Sequence, residues 1–401
     1  MWYKQFKDHR LSALGFGTMR LPQLDREPSH VDREEVDRMV DAAIDAGVNY
    51  FDTAYAYHDG MSEVTIGKSL ARYPKEKWFL ADKFPGHQNV RGVKELQPEP
   101  VFEEQLERCG VEYFDFYLLH NVNESSMRYY GNPEKHCLEY FVEQKQKGRI
   151  RHLGFSTHYG PNGLKRFLQE YGKEFEFCQI QLNYVDWRLQ DAKQKCEILK
   201  EFGLPVWVME SVRGGRLAAF DADTEARMKA LRPEESIAAW AFRWLQTVPE
   251  PTVILSGMSS LSQMEDNIRS FADERPMNSE ELDLLDDIAE KLSGSIPCTG
   301  CRYCCAGCPL KLEIPTLMTM ANEMEVGGNI QNTIMRYTGL GDGKRAADCV
   351  GCGQCREVCP QRIDVPKEMD RLVEVMARQK SWEEVCQERE AAAAAMTLGQ
   401  V

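Results

Sequence analysis

Over the first 290 or so residues, short apolar runs alternate with longer amphipathic stretches, and the pair recurs eight times. The apolar runs predict strands near Gly15–Thr18, Val48–Asp52, Phe79–Lys83, Asp115–His120, His152–Ser156, Gln179–Asn183, Val206–Glu210 and Val253–Ser256. Stretches such as VDREEVDRMVDAAIDAG, PEPVFEEQLERCG and PEESIAAWAFRWLQ carry apolar residues at helical spacing between them. Eight strands, each followed by a helix, predict a closed parallel (β/α)8 TIM barrel. The opening WYKQFKDHRLSALG reads as a small hairpin ahead of the first barrel strand. Chemistry in such a barrel sits at the C-terminal ends of its strands.

A different pattern follows. Nine of the 14 cysteines lie in two runs, CTGCRYCCAGCP from Cys298 and CVGCGQCREVCP from Cys349. Cys298, Cys301, Cys304 and Cys308 before Pro309 are spaced C-x2-C-x2-C-x3-C-P, and so are Cys349, Cys352, Cys355 and Cys359 before Pro360. This is the bacterial ferredoxin spacing for a [4Fe-4S] cluster, in which the fourth cysteine of each run serves the other cluster. The expected sets are therefore Cys298, Cys301, Cys304 and Cys359 for one cluster, and Cys349, Cys352, Cys355 and Cys308 for the other. Small residues between the thiols (Thr299, Gly300, Gly351, Gly353) let the backbone approach inorganic sulfide. Zinc prefers two CxxC pairs and would leave four thiols unexplained. Cys305 breaks the symmetry and reads as a spare. Cys109, Cys137, Cys178, Cys196 and Cys386 are scattered and read as small buried hydrophobes. The forty residues between the runs are apolar at helical spacing, broken at Gly327-Gly328. That predicts a mainly helical dicluster ferredoxin-like domain. The expected boundaries are 1–293 for the barrel, 294–380 for the ferredoxin-like domain and 381–401 for a helical tail, with KLSGSIP as linker.

Net charge is −14, which excludes a general nucleic-acid binder, since that needs a basic face. No apolar run approaches the roughly 18 residues that span a bilayer. The N-terminus MWYKQFKDHR lacks a signal-peptide core. Cysteine runs of this kind bind metal in a reducing compartment, so the expected location is the cytoplasm, with a small molecule as partner and neither membrane nor nucleic acid.

Asp52, Lys83, His120, Ser156 and Gln181 with Asn183 fall at the predicted strand ends, and Tyr57 lies just after the second. A lone Asp or His there is as easily structural, but four titratable groups on one rim point to chemistry. FDTAYAYHDGMSEVTIGKSL, LADKF and DFYLLH resemble the aldo-keto reductases, from about residue 11 to residue 270. The resemblance implies a catalytic tetrad of Asp52, Tyr57, Lys83 and His120. A carbonyl accepting hydride needs a proton donor, and free tyrosine, with a pKa of about 10, is a reluctant one. Lys83 beside Tyr57 would lower that pKa, Asp52 would fix Lys83, and His120 would orient the carbonyl.

Cofactor positions follow the family less closely. The resemblance implies that Ser156 and Gln181 bind the nicotinamide amide, that Thr18, Met19 and Ser211 lie along the cofactor, and that Asp266 and Asn267 meet the adenosine end. The family usually has Asn after that Ser; here stand Thr157 and His158. Glu210 stands where a Tyr normally stacks on the nicotinamide ring. Gly257 and Gln263 replace the Lys and Arg of NADPH-preferring relatives, which predicts little discrimination between NADH and NADPH. Arg213 and Arg216 are left as candidate phosphate ligands or as solvated surface arginines.

The whole chain resembles the aldo-keto reductases that carry a C-terminal ferredoxin-like 2x[4Fe-4S] domain, a subgroup common in anaerobes. This implies an oxidoreductase using NAD(H) or NADP(H) on a small carbonyl or alcohol, coupled to two [4Fe-4S] clusters and to a redox protein partner. Clusters move single electrons and nicotinamide moves hydride. A flavin would join the two, though no motif marks one. The alternatives are an electron-transfer or sensing subunit whose barrel has no turnover of its own, and a reductase whose clusters are purely structural. Tyr129, Tyr130, Tyr184 and Trp187, in the loops at Val122–Tyr130 and Val185–Arg188, are either pocket walls or core.

Overall fold

A computed structural model describes residues 1–25, 27, 29–86, 96–123, 126–292, 296, 298, 303–326, 330–357, 359, 363–380 and 384. The chain divides into two compact units, Met1–Asp287 and Ile288–Val401. The division falls inside the helix Ser279–Leu292, a few residues ahead of the expected boundary.

In the first unit a hairpin of β1 (Tyr3–Phe6) and β2 (His9–Ser12) precedes eight strands: β3 (Leu14–Gly17), β4 (Tyr50–Asp52), β5 (Phe79–Phe84), β6 (Phe114–Val122), β7 (Ile150–Thr157), β8 (Cys178–Gln181), β9 (Val206–Met209) and β10 (Pro251–Gly257). The eight form a closed barrel in chain order, all parallel, with β10 returning to pair with β3 through Ile254 and Leu14. Each predicted strand is present, displaced by up to two residues at most ends. Asn183 and Glu210, expected inside strands, lie just beyond β8 and β9.

Parallel strands are covered on both faces, which is why they read as continuous apolar runs. Inside the barrel, Tyr50, Ala81, Phe116, Leu118, Phe177, Trp207, Val253 and Leu255 form one core. Large and small residues interlock there: a Cβ on Gly154 would stand 2.5 Å from the Phe177 ring. The hairpin closes the N-terminal end. Phe6 packs its ring 5.0 Å from Trp207, 5.7 Å from Phe116 and 5.1 Å from His152. Phe6→Ala should therefore cost about 3–5 kcal/mol of stability. Urea unfolding checks this; a loss under about 1 kcal/mol would mean the plug is dispensable.

The helices follow the periodicity. Arg33–Asp45 buries Val36, Met39, Val40, Ala43 and Ile44 on one stripe, and Asp32 caps it by accepting from Glu35 N at 3.1 Å. Among the described residues of the first unit, two helices of ten residues or more lie outside the sequence expectation, besides the short turns Met127–Tyr130 and Asp186–Leu189. Ala222–Leu231 buries little besides Thr224 and Met228, so it has no apolar stripe to read, although Asp221 caps it. Ser279–Leu292 does carry a periodic pattern, in Leu282, Leu285 and Ile288.

In the second unit the helices Ile314–Val326, Ile330–Thr338 and Val365–Ala377 surround a core of Leu317, Met318, Ile334, Met369 and Leu372. Buried Glu323 is matched by Arg336 at 2.9 Å and by Thr333 at 2.6 Å. The expectation of a mainly helical unit holds. The break at Gly327-Gly328 and nearly all of the helical tail, 381–401, lie outside the described residues.

Candidate active site and cluster-binding cysteines

Side chains two apart on a strand share a face. Tyr50, Ala81, Phe116 and Leu118 fill the barrel interior, so Asp52, Lys83 and His120 continue those columns upward to the C-terminal rim. All three sit at or near the ends of adjacent strands β4, β5 and β6. Lys83 is fully buried, and its Nζ donates to Asp52 Oδ1 at 2.5 Å and to Thr53 O at 2.6 Å. Asp52 Oδ2 is buried with no hydrogen-bond partner among the described residues. Tyr57 opens a turn, Tyr57–Gly60, that His58 and Asp59 bend with φ of 53° and 52°. Its ring lies 5.1 Å from Lys83 Nζ and 5.9 Å from His120, nearly at right angles to the imidazole. The four residues that the sequence singled out thus meet at one point.

The electrostatics differ from the expectation in one respect. Burial raises Tyr57 above its ordinary value, and Lys83 offsets only part of that rise. Lys83 limits the cost of a phenolate rather than making the free phenol acidic. Burial also works against the Lys83 ammonium, but Asp52 and Tyr57 outweigh it and hold the lysine above its ordinary value. Asp52 is pushed up by burial and pulled down by Lys83.

Behind Lys83 lies a polar cluster that sequence reasoning missed. The Lys83 N–H donates to Asp82 Oδ1 at 2.8 Å, and its carbonyl accepts from Gln105 Nε2 at 3.1 Å. Gln105 also donates to Glu63, which pairs with Arg108 at 2.9 Å. Burial, with the Glu63 charge added, lifts Asp82 well above the usual carboxylate range. Asp82 and Glu63 hydrogen-bond to each other, and burial raises both carboxyls. The ADK triplet was the available signal: an acid beside the lysine points outward where the lysine points in.

The thiols of the second unit gather too. A small cavity is rimmed by Cys349, Cys352 and Cys355 of the second run and by Cys308 of the first, along with Leu312, Ile314 and Met369. The short helix Tyr303–Ala306 packs against its counterpart Gln354–Glu357, which brings the two runs together. Leu312 N–H donates to Cys308 Sγ at 3.4 Å, a bond that suits a thiolate. Cys298, Cys304, Cys305 and Cys359 pack on the same core. Burial, with Cys305 and Cys298 alongside, pushes the Cys304 thiol up to about 12. Cys301 lies outside the described residues. Among the described residues no three His, Cys, Asp or Glu side chains close around a single ion. Four sulfur donors around an apolar cavity fit an iron–sulfur cube.

Residues 13–290 match the Aldo/keto reductase family. The chain belongs to that family. Residues 297–364 match the 4Fe-4S dicluster domain, so this aldo-keto reductase is an oxidoreductase with an iron–sulfur domain attached. Its relatives include the NADH-specific methylglyoxal reductase of Escherichia coli, 26% identical over 52% of this chain and 66% of that protein. The uncharacterized oxidoreductase YqkF of Bacillus subtilis is 25% identical over 69% of this chain and 92% of its own length. The holo form of aldo-keto reductase AKR11C1 from Bacillus halodurans superposes with a TM-score of 0.56 at 24% identity, over 72% of this chain and 96% of that one. An aldo/keto reductase from Klebsiella pneumoniae in complex with NADP and acetate gives 0.56 at 20% identity, over 70% and 92%.

Around the rim of this aldo-keto reductase, Ser156 and Gln181 close β7 and β8. Ser156 Oγ accepts from Asn121 N at 2.8 Å. Gln181 and Asn183 both donate to the buried Asp186, at 2.7 Å and 2.6 Å. Arg213 is buried and paired with the same carboxylate at 3.3 Å. It is therefore neither a solvated arginine nor a guanidinium open to a phosphate. Arg216 and Met19 are exposed. Glu210 is half-buried just beyond β9 with φ of 57°. Burial raises its carboxyl, and Arg20 opposes that rise most strongly. Thr18 donates to Asp52 O at 2.9 Å and Ser211 to Leu255 O at 2.8 Å, so both hydroxyls serve the barrel wall. Asn267 donates to Ser256 Oγ at 2.8 Å, and Asp266 accepts from Ser236 and Arg269. Gln263 caps back onto Ser259 N at 2.8 Å, and Gly257 ends β10. Of the loop aromatics, Tyr130 bonds to the carbonyls of Phe84 and His120 and Tyr184 is buried, so both are framework. Arg20, which the sequence did not single out, lies among these residues.

Proposed function

We propose that the barrel reduces a small carbonyl compound, or oxidises the matching alcohol, with a nicotinamide cofactor bound along the rim. The observation that carries this is the buried Lys83–Asp52 couple beneath Tyr57, with His120 set at a right angle to the phenol. Bound nicotinamide would supply the hydride to the carbonyl carbon. Tyr57 gives its proton to the carbonyl oxygen, Lys83 steadies the resulting phenolate, and solvent restores the proton. His120 holds the carbonyl oxygen in place. Ser156 and Gln181, near the C-terminal ends of adjacent strands, suit the amide of a nicotinamide. The relatives, one NADH-specific and one in complex with NADP, support a nicotinamide here.

The eight motif cysteines hold two [4Fe-4S] clusters in this reading, the second on Cys349, Cys352, Cys355 and Cys308. The clusters pass electrons to or from a redox protein. The location is cytoplasmic; among the described residues no helix is long and apolar enough to cross a membrane. Under anaerobic conditions a panel of carbonyls should drive oxidation of NADH and NADPH. With Gly257 and Gln263 at the usual basic positions, the two nucleotides should bind within about tenfold of each other. Cluster bleaching by either nucleotide, with no carbonyl turned over, would instead favour the second reading, an electron-transfer subunit whose barrel only binds.

A further inference from the structure

Tyr57 opens a strained turn. His58, Asp59 and Gly60, the residues after it, all take left-handed backbone, with φ of 53°, 52° and 88°. Residues other than glycine keep that geometry only where their surroundings impose it. One side chain, Arg108 of the helix Pro98–Cys109, supplies much of that surrounding. Its guanidinium carbon lies 4.5 Å from the centre of the Tyr55 ring, and Nη1 reaches the Tyr55 carbonyl at 3.5 Å. The Tyr55 hydroxyl donates to Glu104 Oε2 at 2.6 Å, and Arg108 Nη2 donates to the other oxygen of Glu104 at 2.5 Å. At the end of the turn, a Cβ on Gly60 would stand 2.8 Å from Arg108 Nη1. The guanidinium therefore meets the chain on both sides of Tyr57.

The same helix reaches Lys83. Gln105 stands three residues before Arg108, so the two share a face. Gln105 is buried, and its Nε2 uses both hydrogens, one on Lys83 O at 3.1 Å and one on Glu63 Oε1 at 3.0 Å. Tyr117 fixes the direction of that amide by donating to its Oε1 at 2.5 Å. Glu63 is fully buried and accepts from Arg108 Nη1 on its other oxygen at 2.9 Å. It lies in the first turn of the helix Met61–Leu70, directly after the Tyr57 turn. That helix and Pro98–Cys109 meet closely, since a Cβ on Gly67 would run into the Cys109 carbonyl. One carboxylate thus joins the arginine behind the tyrosine turn to the glutamine that grips the lysine strand. Tyr57 and Lys83 come from different elements, and their separation of 5.1 Å between ring and Nζ is framed from outside both.

We propose that Arg108 is a positioning residue which, through Glu63 and Gln105, sets the distance between Tyr57 and Lys83. This rests on the carbonyl-reductase reading above. The full chain is assayed with NADH or NADPH and a carbonyl that it turns over, alongside nucleotide binding and thermal melting. Arg108→Met keeps the stem and removes the guanidinium. It should lower kcat by about tenfold to a hundredfold, the cost of misplacing a reacting group by about 1 Å. Nucleotide Kd should stay within about twofold of wild type. In a Tyr57→Phe background, read in single turnover, the same change should cost less than about twofold, because the group it places is already gone. Arg108→Lys keeps a charge beside Glu63, but one ammonium cannot also span Glu104 and the Tyr55 carbonyl. It should show a smaller loss with the same dependence on Tyr57, and it carries the comparison if Arg108→Met does not fold. Equal losses in the two backgrounds would make Arg108 a prop of the whole fold and overturn the proposal. So would a folded variant with kcat within about twofold of wild type. If Tyr57→Phe alone keeps wild-type turnover, or the wild-type chain reduces no carbonyl with either nucleotide, the reductase reading fails and takes this proposal with it.

Discussion

Tyr57→Phe lowers turnover of the carbonyl substrate by at least about a hundredfold while leaving nicotinamide binding nearly unchanged, because only the proton donor is lost. The phenyl ring keeps its place against His120, 5.9 Å away, and above the Lys83 ammonium. Steady-state rates give the loss, and nucleotide fluorescence titration shows whether binding survives. A variant within about threefold of wild type on the true substrate would remove Tyr57 from the reaction. The buried lysine couple would then be a structural ion pair, and the fold alone would carry no claim to carbonyl chemistry.

Cys308→Ala takes the iron content of anaerobically purified protein from about eight atoms to about four. The thiol stands in the first run, yet it rims the cavity formed by Cys349, Cys352 and Cys355. The cluster lost is therefore the one belonging mainly to the second run. Double variants separate this from sequential ligation. Cys308→Ala with Cys349→Ala should keep about four irons, since both ligands serve one cube. Cys308→Ala with Cys304→Ala should keep almost none. The reverse pattern would show that each run holds its own cluster. Stoichiometric zinc without acid-labile sulfide would end the iron–sulfur reading.

The barrel was legible because each strand is covered on both faces and stands out as an apolar run, and because one helix follows each. Asp52, Lys83 and His120 were legible as well, since alternation along adjacent strands dictates that they emerge together at the rim. Helix Ala222–Leu231 was not, because it rests on the barrel mainly through Met228 and carries no stripe. Arg213 was misjudged for a related reason. A sequence shows a charge in a loop but not the Asp186 that receives it from a different loop. The Glu63–Asp82 contact pairs residues nineteen positions apart, and nothing local announces it. Arg20 went unseen because the two glycines it lies against, Gly214 and Gly257, are far along the chain. What the sequence lacks in each case is the partner across the fold, not the residue itself.

The barrel closes where β3 meets β10, with Leu14 beside Ile254. On a ribosome, this sets a long delay. Asp52, Tyr57, Lys83 and His120 leave the exit tunnel early, yet the strand that seals their cylinder emerges only after residue 257 has been added. At about 5–20 residues per second, the open sheet waits on the order of ten seconds with both edges unpaired. Pairing strands so distant in sequence is also slow in itself. The half-built barrel is thus the stage at which holdase chaperones have most to cover. Slowed translation ahead of β10 should lower the soluble yield more than the same pause placed after it.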